Sequence, residues 1–204
     1  MTDRLRVGVL VSGTGTNLQA LLDTVHGREA DVVAVASDRV EAPALERARS
    51  AGVDVGTFPV GDHADREARD GAMADWLAER GVSLVVLAGY MQLLSSGFLA
   101  RFEDAVMNVH PSLLPAFPGV DAIGDALRYG VKVFGVTVHF VDEGVDTGPV
   151  VLQRSIDLPD ADDAGQVLAA LRPLEHEMLP EAVRLFARGA LRRDASNPRQ
   201  VTVD

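Results

Sequence analysis

Short apolar runs alternate along this chain with segments in which apolar residues recur every three or four positions. The runs have the length of buried strands and lie at 6–12, 31–37, 54–60, 82–90, 104–110, 133–141 and 148–158. The periodic segments predict amphipathic helices at 17–26, 42–52, 65–81 and 163–189. Gly52 and Gly81 are typical helix-ending residues. Pro173 and Pro180 fall inside the last helix, and we expect them to kink or break it.

The repetition of strand and helix predicts an α/β fold with a Rossmann-like, mostly parallel sheet and helices on both faces. The run at 82–90 is the most hydrophobic and is expected to be the central strand. Too few residues separate the last two strands for a crossover helix, so an antiparallel edge is predicted. We expect residues 1–204 to form one domain, with a polar tail at 191–204 that is partly mobile or adds a short strand.

Composition and charge narrow the classes of function. The 204 residues carry a net charge of −11, and no Lys/Arg cluster exceeds two adjacent residues, so we expect no nucleic-acid partner. The absence of cysteine excludes disulfides, thiol catalysis and thiolate metal sites. No apolar run approaches the roughly 20 residues that span a bilayer, and the first apolar run is too short for a signal peptide. We therefore expect a cytoplasmic protein with no membrane partner.

A glycine-rich loop, Ser12-Gly13-Thr14-Gly15-Thr16-Asn17, separates the first predicted strand from the first helix. Glycines let the backbone approach a ligand, and free N–H groups at a helix N-terminus attract anions. A dinucleotide site would need a third glycine where Leu18 stands, and a Walker lysine is absent. The loop therefore suits a single phosphate better than a pyrophosphate. The alternative interpretation is a plain turn between a strand and a helix.

The segment Met107–Gly119, MNVHPSLLPAFPG, combines polar side chains with an unusually stiff backbone. Asn108 and His110 are two apart on a predicted strand, so both point to the same side. The prolines that follow restrict the path of the chain, which limits how far these side chains can wander. Leu114-Pro115 is a candidate for a cis peptide bond. The pattern favours a catalytic pair.

A loop rich in carboxylates lies between the last two predicted strands and contains Asp142, Glu143 and Asp146. Such residues are usually solvated loop charges. Ligands in parallel sheets, however, bind beyond the carboxyl ends of strands, where this loop, the glycine loop and His110 can converge. A carboxylate there would orient His110, and an Asn amide could donate to a developing oxyanion. The pattern alone does not choose between Asp142 and Asp146.

A metal site is the weaker interpretation of the histidines. His110 and His139 with nearby acids could hold an ion, but no typical ligand spacing is present. His139 lies within a predicted strand and is interpreted as structural, whereas His26 and His63 are expected at the surface.

Four motifs together resemble the folate-dependent phosphoribosylglycinamide formyltransferase family: VLVSGTGTNLQALL, LVVLAGYMQLLS, NVHPSLLPAFPG and TVHFVDEGVDTGPVVLQ. The resemblance runs in order from about residue 6 to 180 and implies the formyltransferase fold. It also implies formyl transfer from 10-formyltetrahydrofolate, as co-substrate, to the amine of glycinamide ribonucleotide (GAR), with no metal and no covalent intermediate. By the same resemblance Asn108 stabilises the oxyanion, His110 donates a proton, and Asp146 supports His110.

The resemblance also implies binding residues. The phosphate and ribose of GAR, and the path of this substrate, would involve Gly15, Thr16, Asn17, Gly89, Met91 and Glu175. The folate would contact Arg66, Met91, Gln92, Leu93, Leu94, Asn108, Asp142, Glu143, Gly144, Val145 and Asp146. A phosphate-binding half is then expected at about 1–100 and a folate-binding, catalytic half at about 101–190, in a monomer or homodimer.

The chain departs from the family pattern at three positions. Asp121 and Gly124 replace the residue types expected after FPG, and Gln92 stands where many relatives have Arg. Other hypotheses are a formyltetrahydrofolate hydrolase, a tRNA formyltransferase and a non-catalytic nucleotide-binding module. The glycine loop disfavours the hydrolase, and the acidic charge and short chain disfavour the tRNA enzyme.

Overall fold

The computed structural model describes residues 4–194 and 196–204. The chain forms two compact units, of which the first ends at Met107 and the second begins at Asn108. In the described residues no helix is both long enough and apolar enough to cross a membrane.

The first unit is built from parallel strands and the helices that connect them. Its elements are β1 (Leu5–Val11), α1 (Thr16–Thr24), β2 (Ala30–Ser37), α2 (Pro43–Ser50), β3 (Asp54–Thr57), α3 (Arg66–Glu79), β4 (Leu84–Leu87) and α4 (Ser96–Arg101), with a 3₁₀ turn at Val60–Asp62. Strand β1 pairs in parallel with β2 and β4, and β2 pairs in parallel with β3. Gly52 and Gly81 have left-handed φ values of 72° and 64° beyond α2 and α3, as predicted for helix ends.

The core of the first unit explains why β1 and β4 read as apolar runs. Every residue of β4 is buried, as are Val7, Val9 and Leu10 of β1. A Cβ added to Gly8 would lie 2.9 Å from the Leu77 side chain, so α3 packs closely on β1. A strand that is buried on both faces has apolar residues at consecutive positions, and the sequences of β1 and β4 show this pattern.

The second unit contains the antiparallel edge. Strand β5 (Val106–His110) begins in the first unit, and it is followed by α5 (Ala122–Tyr129), β6 (Val133–Phe140), β7 (Val150–Asp157), α6 (Ala164–Ala187), β8 (Leu191–Arg193) and β9 (Val201–Val203). Strands β6 and β7 are antiparallel, and β8 and β9 form a separate antiparallel pair. The hydrogen-bonded strand order is β3-β2-β1-β4-β5-β6-β7. The predictions of a mostly parallel sheet, a central β4 and an antiparallel edge are confirmed.

Helix α6 continues through Pro173 and Pro180, so of the expected kink or break the break does not occur. Asp163 caps its first turn by accepting from the Gln166 N–H at 2.8 Å. Leu171, Met178 and other apolar residues of α6 are fully buried, and the helix packs against β6 and β7. This burial offsets the two backbone hydrogen bonds that the prolines cannot make. Helices α4 and α5 were not predicted as separate elements, whereas the short strand predicted as one option for the tail is present as β9.

Candidate active site

His110 ends β5 and is held by an acceptor at each ring nitrogen. Its Nε2 lies 2.9 Å from the carbonyl oxygen of Phe117, and its Nδ1 lies 3.3 Å from Asp146 Oδ2. The side chain is almost fully buried. A carbonyl and a carboxylate both accept, so each ring nitrogen faces an acceptor. The imidazole is thus fixed in orientation.

The turn after His110 is fixed by a buried hydroxyl. Thr137 Oγ1 on β6 donates to the Ser112 carbonyl at 2.7 Å and accepts from the Leu114 N–H at 3.1 Å. Gln153 on β7 donates to the Leu114 carbonyl at 2.8 Å. The predicted cis bond at Leu114-Pro115 is confirmed. Thr137 and Gln153 therefore anchor the proline-rich segment to the antiparallel edge.

Asp146 connects the groups of the site through both of its carboxylate oxygens. The Gly119 N–H donates to Oδ2 at 2.7 Å, and Asn108 Nδ2 donates to Oδ1 at 3.3 Å. Burial by itself raises the pKa of Asp146, but the hydrogen bonds from His139 and Gly119 and the nearby His110 outweigh burial and lower this pKa below its ordinary value. Asp146 is therefore ionised at neutral pH and acts as an acceptor and a negative charge.

The two acids that the sequence left open have different surroundings. Asp142 Oδ1 accepts from the Gly144 N–H at 3.1 Å and from the Thr147 hydroxyl at 2.6 Å, which closes the loop on itself. Asp146 is the acid beside His110. Its φ of 53° and that of Phe117, 52°, lie in the left-handed region, where non-glycine residues are uncommon. Strained backbone of this kind clusters at functional sites.

Asn108 and His139 form a contact that the sequence did not predict. Asn108 Nδ2 lies 3.3 Å from His139 Nε2, and His139 Nε2 lies 3.5 Å from Asp146 Oδ1. His139 Nδ1 lies 2.8 Å from the Phe140 carbonyl, which accepts, so Nδ1 carries a proton. His139 therefore belongs to the site as well as to β6. The sequence signal was a lone His near the end of an apolar strand that precedes the acidic loop.

The register of the antiparallel pair is irregular beside His139. Val138 pairs with Leu152, whereas His139 pairs with Val150, so Val151 is an extra residue on β7. Irregularities of this kind are frequent next to active sites.

The glycine loop of the first unit opens α1 and is supported by α2. Gly15 is the N-cap of α1 with φ 73°, and an added Cβ would lie 2.6 Å from Ala44 Cβ. Arg47 Nε donates to the Thr14 carbonyl at 2.8 Å, and the Ala44 N–H donates to the Gly13 carbonyl at 3.2 Å. These contacts hold the loop carbonyls toward α2. Thr16 and Asn17 form the first turn of α1.

The loop after β4 presents apolar side chains to solvent. Gly89 has a φ of 77°, and Met91 and Leu93 remain 56% and 57% exposed. Gln92 is turned inward, where its Nε2 donates to Asp38 Oδ2 at 3.0 Å. The amide at the position where an arginine was expected therefore serves the loop itself.

The remaining predicted residues lie in varied surroundings. Arg66 opens α3 and is half-exposed near Glu67, and Glu175 is buried on α6. Leu94 is partly buried, whereas Glu143, Gly144 and Val145 are exposed in the acidic loop. Within residues 4–194 and 196–204 no group of three or more His, Asp or Glu residues has the arrangement of a metal site.

The departures at Asp121 and Gly124 are explained by one contact. Asp121 Oδ2 accepts from Arg128 at 2.8 Å on α5, and a Cβ on residue 124 would lie 2.4 Å from Asp121 Oδ1. The glycine therefore makes room for the aspartate to reach the arginine. The two replacements act together to fix the start of α5.

Comparison with known proteins gives concordant results. A formyl transferase family model matches residues 5–183. The phosphoribosylglycinamide formyltransferase of Mycobacterium tuberculosis (strain CDC 1551) is 44% identical over 202 residues, 97% of this chain and 94% of that protein. That of Bacillus subtilis (strain 168) is 36% identical over 88% of this chain and 93% of its own length.

A solved structure extends the similarity to the fold. The crystal structure of glycinamide ribonucleotide transformylase 1 from Symbiobacterium toebii has a TM-score of 0.93 at 44% identity, covering 100% of this chain and 95% of that chain. The match in sequence, motifs and fold extends over nearly the whole length. The chain therefore belongs to the phosphoribosylglycinamide formyltransferase family of formyl transferases.

Proposed function

We propose that this protein transfers the formyl group of 10-formyltetrahydrofolate to the amine of GAR, giving formyl-GAR and tetrahydrofolate for purine biosynthesis. The observation that carries the proposal is the cluster of Asn108, His110 and Asp146, in which an amide, an imidazole and an ionised carboxylate lie within hydrogen-bonding distance. This is the set of groups that acyl transfer through a charged tetrahedral intermediate requires.

The chemistry follows from what each group can donate. The GAR amine attacks the formyl carbon, a C–N bond forms, and the formyl oxygen becomes an oxyanion. Asn108 stabilises that oxyanion by donating an N–H, since its two protein contacts are both long at 3.3 Å and can be exchanged for a shorter one. The intermediate collapses as the bond to N10 of the folate breaks. His110 supplies the proton that N10 takes up, and it then takes the proton that the amine loses, so that no net proton is consumed.

Asp146 acts on the reaction through His110. Its carboxylate orients the ring and stabilises the imidazolium, while the Gly119 N–H fixes the carboxylate itself. The proposed steps use no metal ion and no covalent intermediate with the protein. Holding the reacting groups in place can supply several kcal/mol of the barrier reduction.

The proposed substrate contacts follow from the family resemblance. Gly15, Thr16 and Asn17 bind the GAR phosphate at the N-terminus of α1, Gly89 and Met91 border this substrate, and the buried Glu175 binds its ribose hydroxyls. The residues proposed for the folate are Arg66, the segment 91–94, Asn108 and the segment 142–146. We further propose a cytoplasmic enzyme, monomeric or homodimeric.

A spectroscopic assay with both substrates tests the proposed function. We expect purified protein to form tetrahydrofolate only when GAR and 10-formyltetrahydrofolate are both present, and inorganic phosphate to compete with GAR. Consumption of the folate without GAR would instead identify a hydrolase. A folded sample that shows no GAR-dependent turnover between pH 6 and pH 9 would reject the proposal.

We expect Gly15→Ala to weaken GAR binding selectively. A methyl group would meet Ala44 at 2.6 Å, and a left-handed φ costs a non-glycine residue about 1–2 kcal/mol. Displacement of the loop should raise the KM for GAR by about tenfold or more and leave the KM for the folate within about twofold. Steady-state kinetics with each substrate varied measures both values.

The matched control is Gly71→Ala. Gly71 lies in α3, and an added Cβ there would meet nothing within 4 Å. This variant should keep both KM values and gain slight stability from the better helix former. Equal effects of Gly15→Ala on the two KM values would show that the loop does not act on GAR in particular.

A further inference from the structure

Helix α3 contains a charged pair that is buried to an unusual degree. Arg69 is 3% exposed and Asp70 is fully buried. Two guanidinium nitrogens of Arg69, Nε and Nη2, donate to Asp70 Oδ1 at 2.9 and 2.7 Å. Taking two charges out of water is costly, and well-packed apolar residues often give equal or greater stability. Stability alone therefore does not explain why this charged pair is buried.

The buried pair also binds the end of the loop that follows β4, residues 89–95, here called the β4 loop. Arg69 Nη2 donates to the Leu93 carbonyl at 3.1 Å, and Asp70 Oδ2 accepts from the Ser95 N–H at 2.6 Å. Each member of the pair thus contacts both its partner and the loop backbone. The contact fixes Leu93 with its carbonyl directed inward and its side chain exposed.

A second buried carboxylate holds the start of the same loop. Asp38 accepts from the Ser12 hydroxyl at 2.6 Å, and Ser12 Oγ in turn accepts from the Met91 N–H at 2.9 Å. Gln92 completes this end by donating to Asp38. The β4 loop has no helix or strand of its own, so these side chains provide its support. Between the two attachments Met91 and Leu93 point outward.

We propose that Arg69 is a positioning residue for folate recognition. By binding the Leu93 carbonyl it holds the β4 loop so that the exposed side chains of Met91 and Leu93 contact a flat aromatic ring of the folate. The inference rests on the proposed function, because it takes the folate as the ligand of this loop. An arginine suits this role because its planar guanidinium donates hydrogen bonds to a carboxylate and a carbonyl at the same time. A lysine could neutralise Asp70, but it lacks the fixed second donor.

The test compares Arg69→Lys with the double variant Arg69→Met/Asp70→Asn. Both avoid an unpaired buried charge, and in the double variant the new amide oxygen at position 70 can still accept from the Ser95 N–H. We expect each variant to bind a non-reactive folate analogue about tenfold more weakly. A loss of this size matches the free energy of one hydrogen bond together with the ordering of the loop that this bond provides. The KM for GAR should stay within about twofold. Calorimetry gives the folate affinity independently of turnover, and thermal unfolding monitors the fold.

The control is Arg80→Met, at the end of the same helix. Arg80 pairs with Asp54 and lies over the Trp76 ring, so the variant loses an ion pair of α3 without touching the β4 loop. It should keep wild-type affinity for the analogue. Wild-type protein that binds no folate analogue would reject the proposed function. The role of Arg69 would be overturned if wild type binds the analogue and both Arg69 variants bind it with the same affinity as wild type. It would also be overturned if the variants weaken the binding of GAR and of the folate analogue equally.

Discussion

His110→Asn is expected to lower kcat by about three orders of magnitude, within the range of about 10²–10⁴ that a positioned acid or base contributes. The substitution removes the one titratable donor that lies between the Phe117 carbonyl and Asp146 Oδ2. An Asn amide keeps a polar group in the space but cannot transfer a proton to N10 of the folate. The KM values should change little, because the ring acts mainly in the transition state.

His26→Asn is the matched control for the loss of an imidazole. His26 is half-buried, and its Nδ1 accepts from the Val32 N–H at 3.1 Å, so the variant probes structure alone. It should lower the melting temperature modestly and keep kcat. Rapid-quench measurement of the chemical step, beside thermal unfolding of both variants, separates the two effects. A His110→Asn enzyme within tenfold of the wild-type kcat would remove His110 from the proton transfer.

The fold was predictable because its determinants are local. Strands such as β1 and β4 are buried on both faces, so their continuous apolar runs identify them without knowledge of their partners. Helix ends were visible at Gly52 and Gly81 for the same reason, since a left-handed residue favours glycine wherever it occurs. The continuity of α6 across Pro173 and Pro180 was not predictable, because packing against β6 and β7 decides it.

The candidate site was only partly predictable, for a related reason. The spacing of Asn108 and His110 on one strand was sufficient to place them on the same side. The choice of Asp146 over Asp142 came first from family resemblance, and the structure supplies the physical basis, since one acid reaches His110 and the other closes its own loop. The contacts of His139 with Asn108 and Asp146 join separate segments of the chain, and strand periodicity alone does not show them.

Asp146→Asn should lower kcat by about 10²–10⁴, comparable to the loss of a carboxylate that orients a catalytic imidazole. The substitution suits the backbone, because Asn tolerates the left-handed φ of 53° as well as Asp does. Its oxygen can still accept from the Gly119 N–H, but its amide nitrogen then faces Asn108 Nδ2, another donor. The variant thus loses the charge beside His110 and the acceptor that orients Asn108.

The dependence of stability on pH gives an independent check on this residue. The pKa of Asp146 is lowered in the folded state, so its ionised form stabilises the protein above the unfolded value of about 3.9. This contribution is lost as the pH falls through the folded pKa. Denaturant unfolding should therefore show Asp146→Asn to be less stable than wild type at pH 7, with the difference shrinking below about pH 4. A difference that is constant across this range would contradict the assigned ionisation.

A double-mutant cycle decides whether Asp146 works through His110. If the carboxylate only orients and stabilises the ring, it has no ring to act on in His110→Asn. Adding Asp146→Asn to that variant should then lower kcat far less than it does in the wild-type enzyme. Asp142→Asn provides the contrast, because Asp142 supports its own loop and its effect should multiply with that of His110→Asn. Losses of Asp146→Asn and His110→Asn that add fully in free energy would show that the two residues act independently.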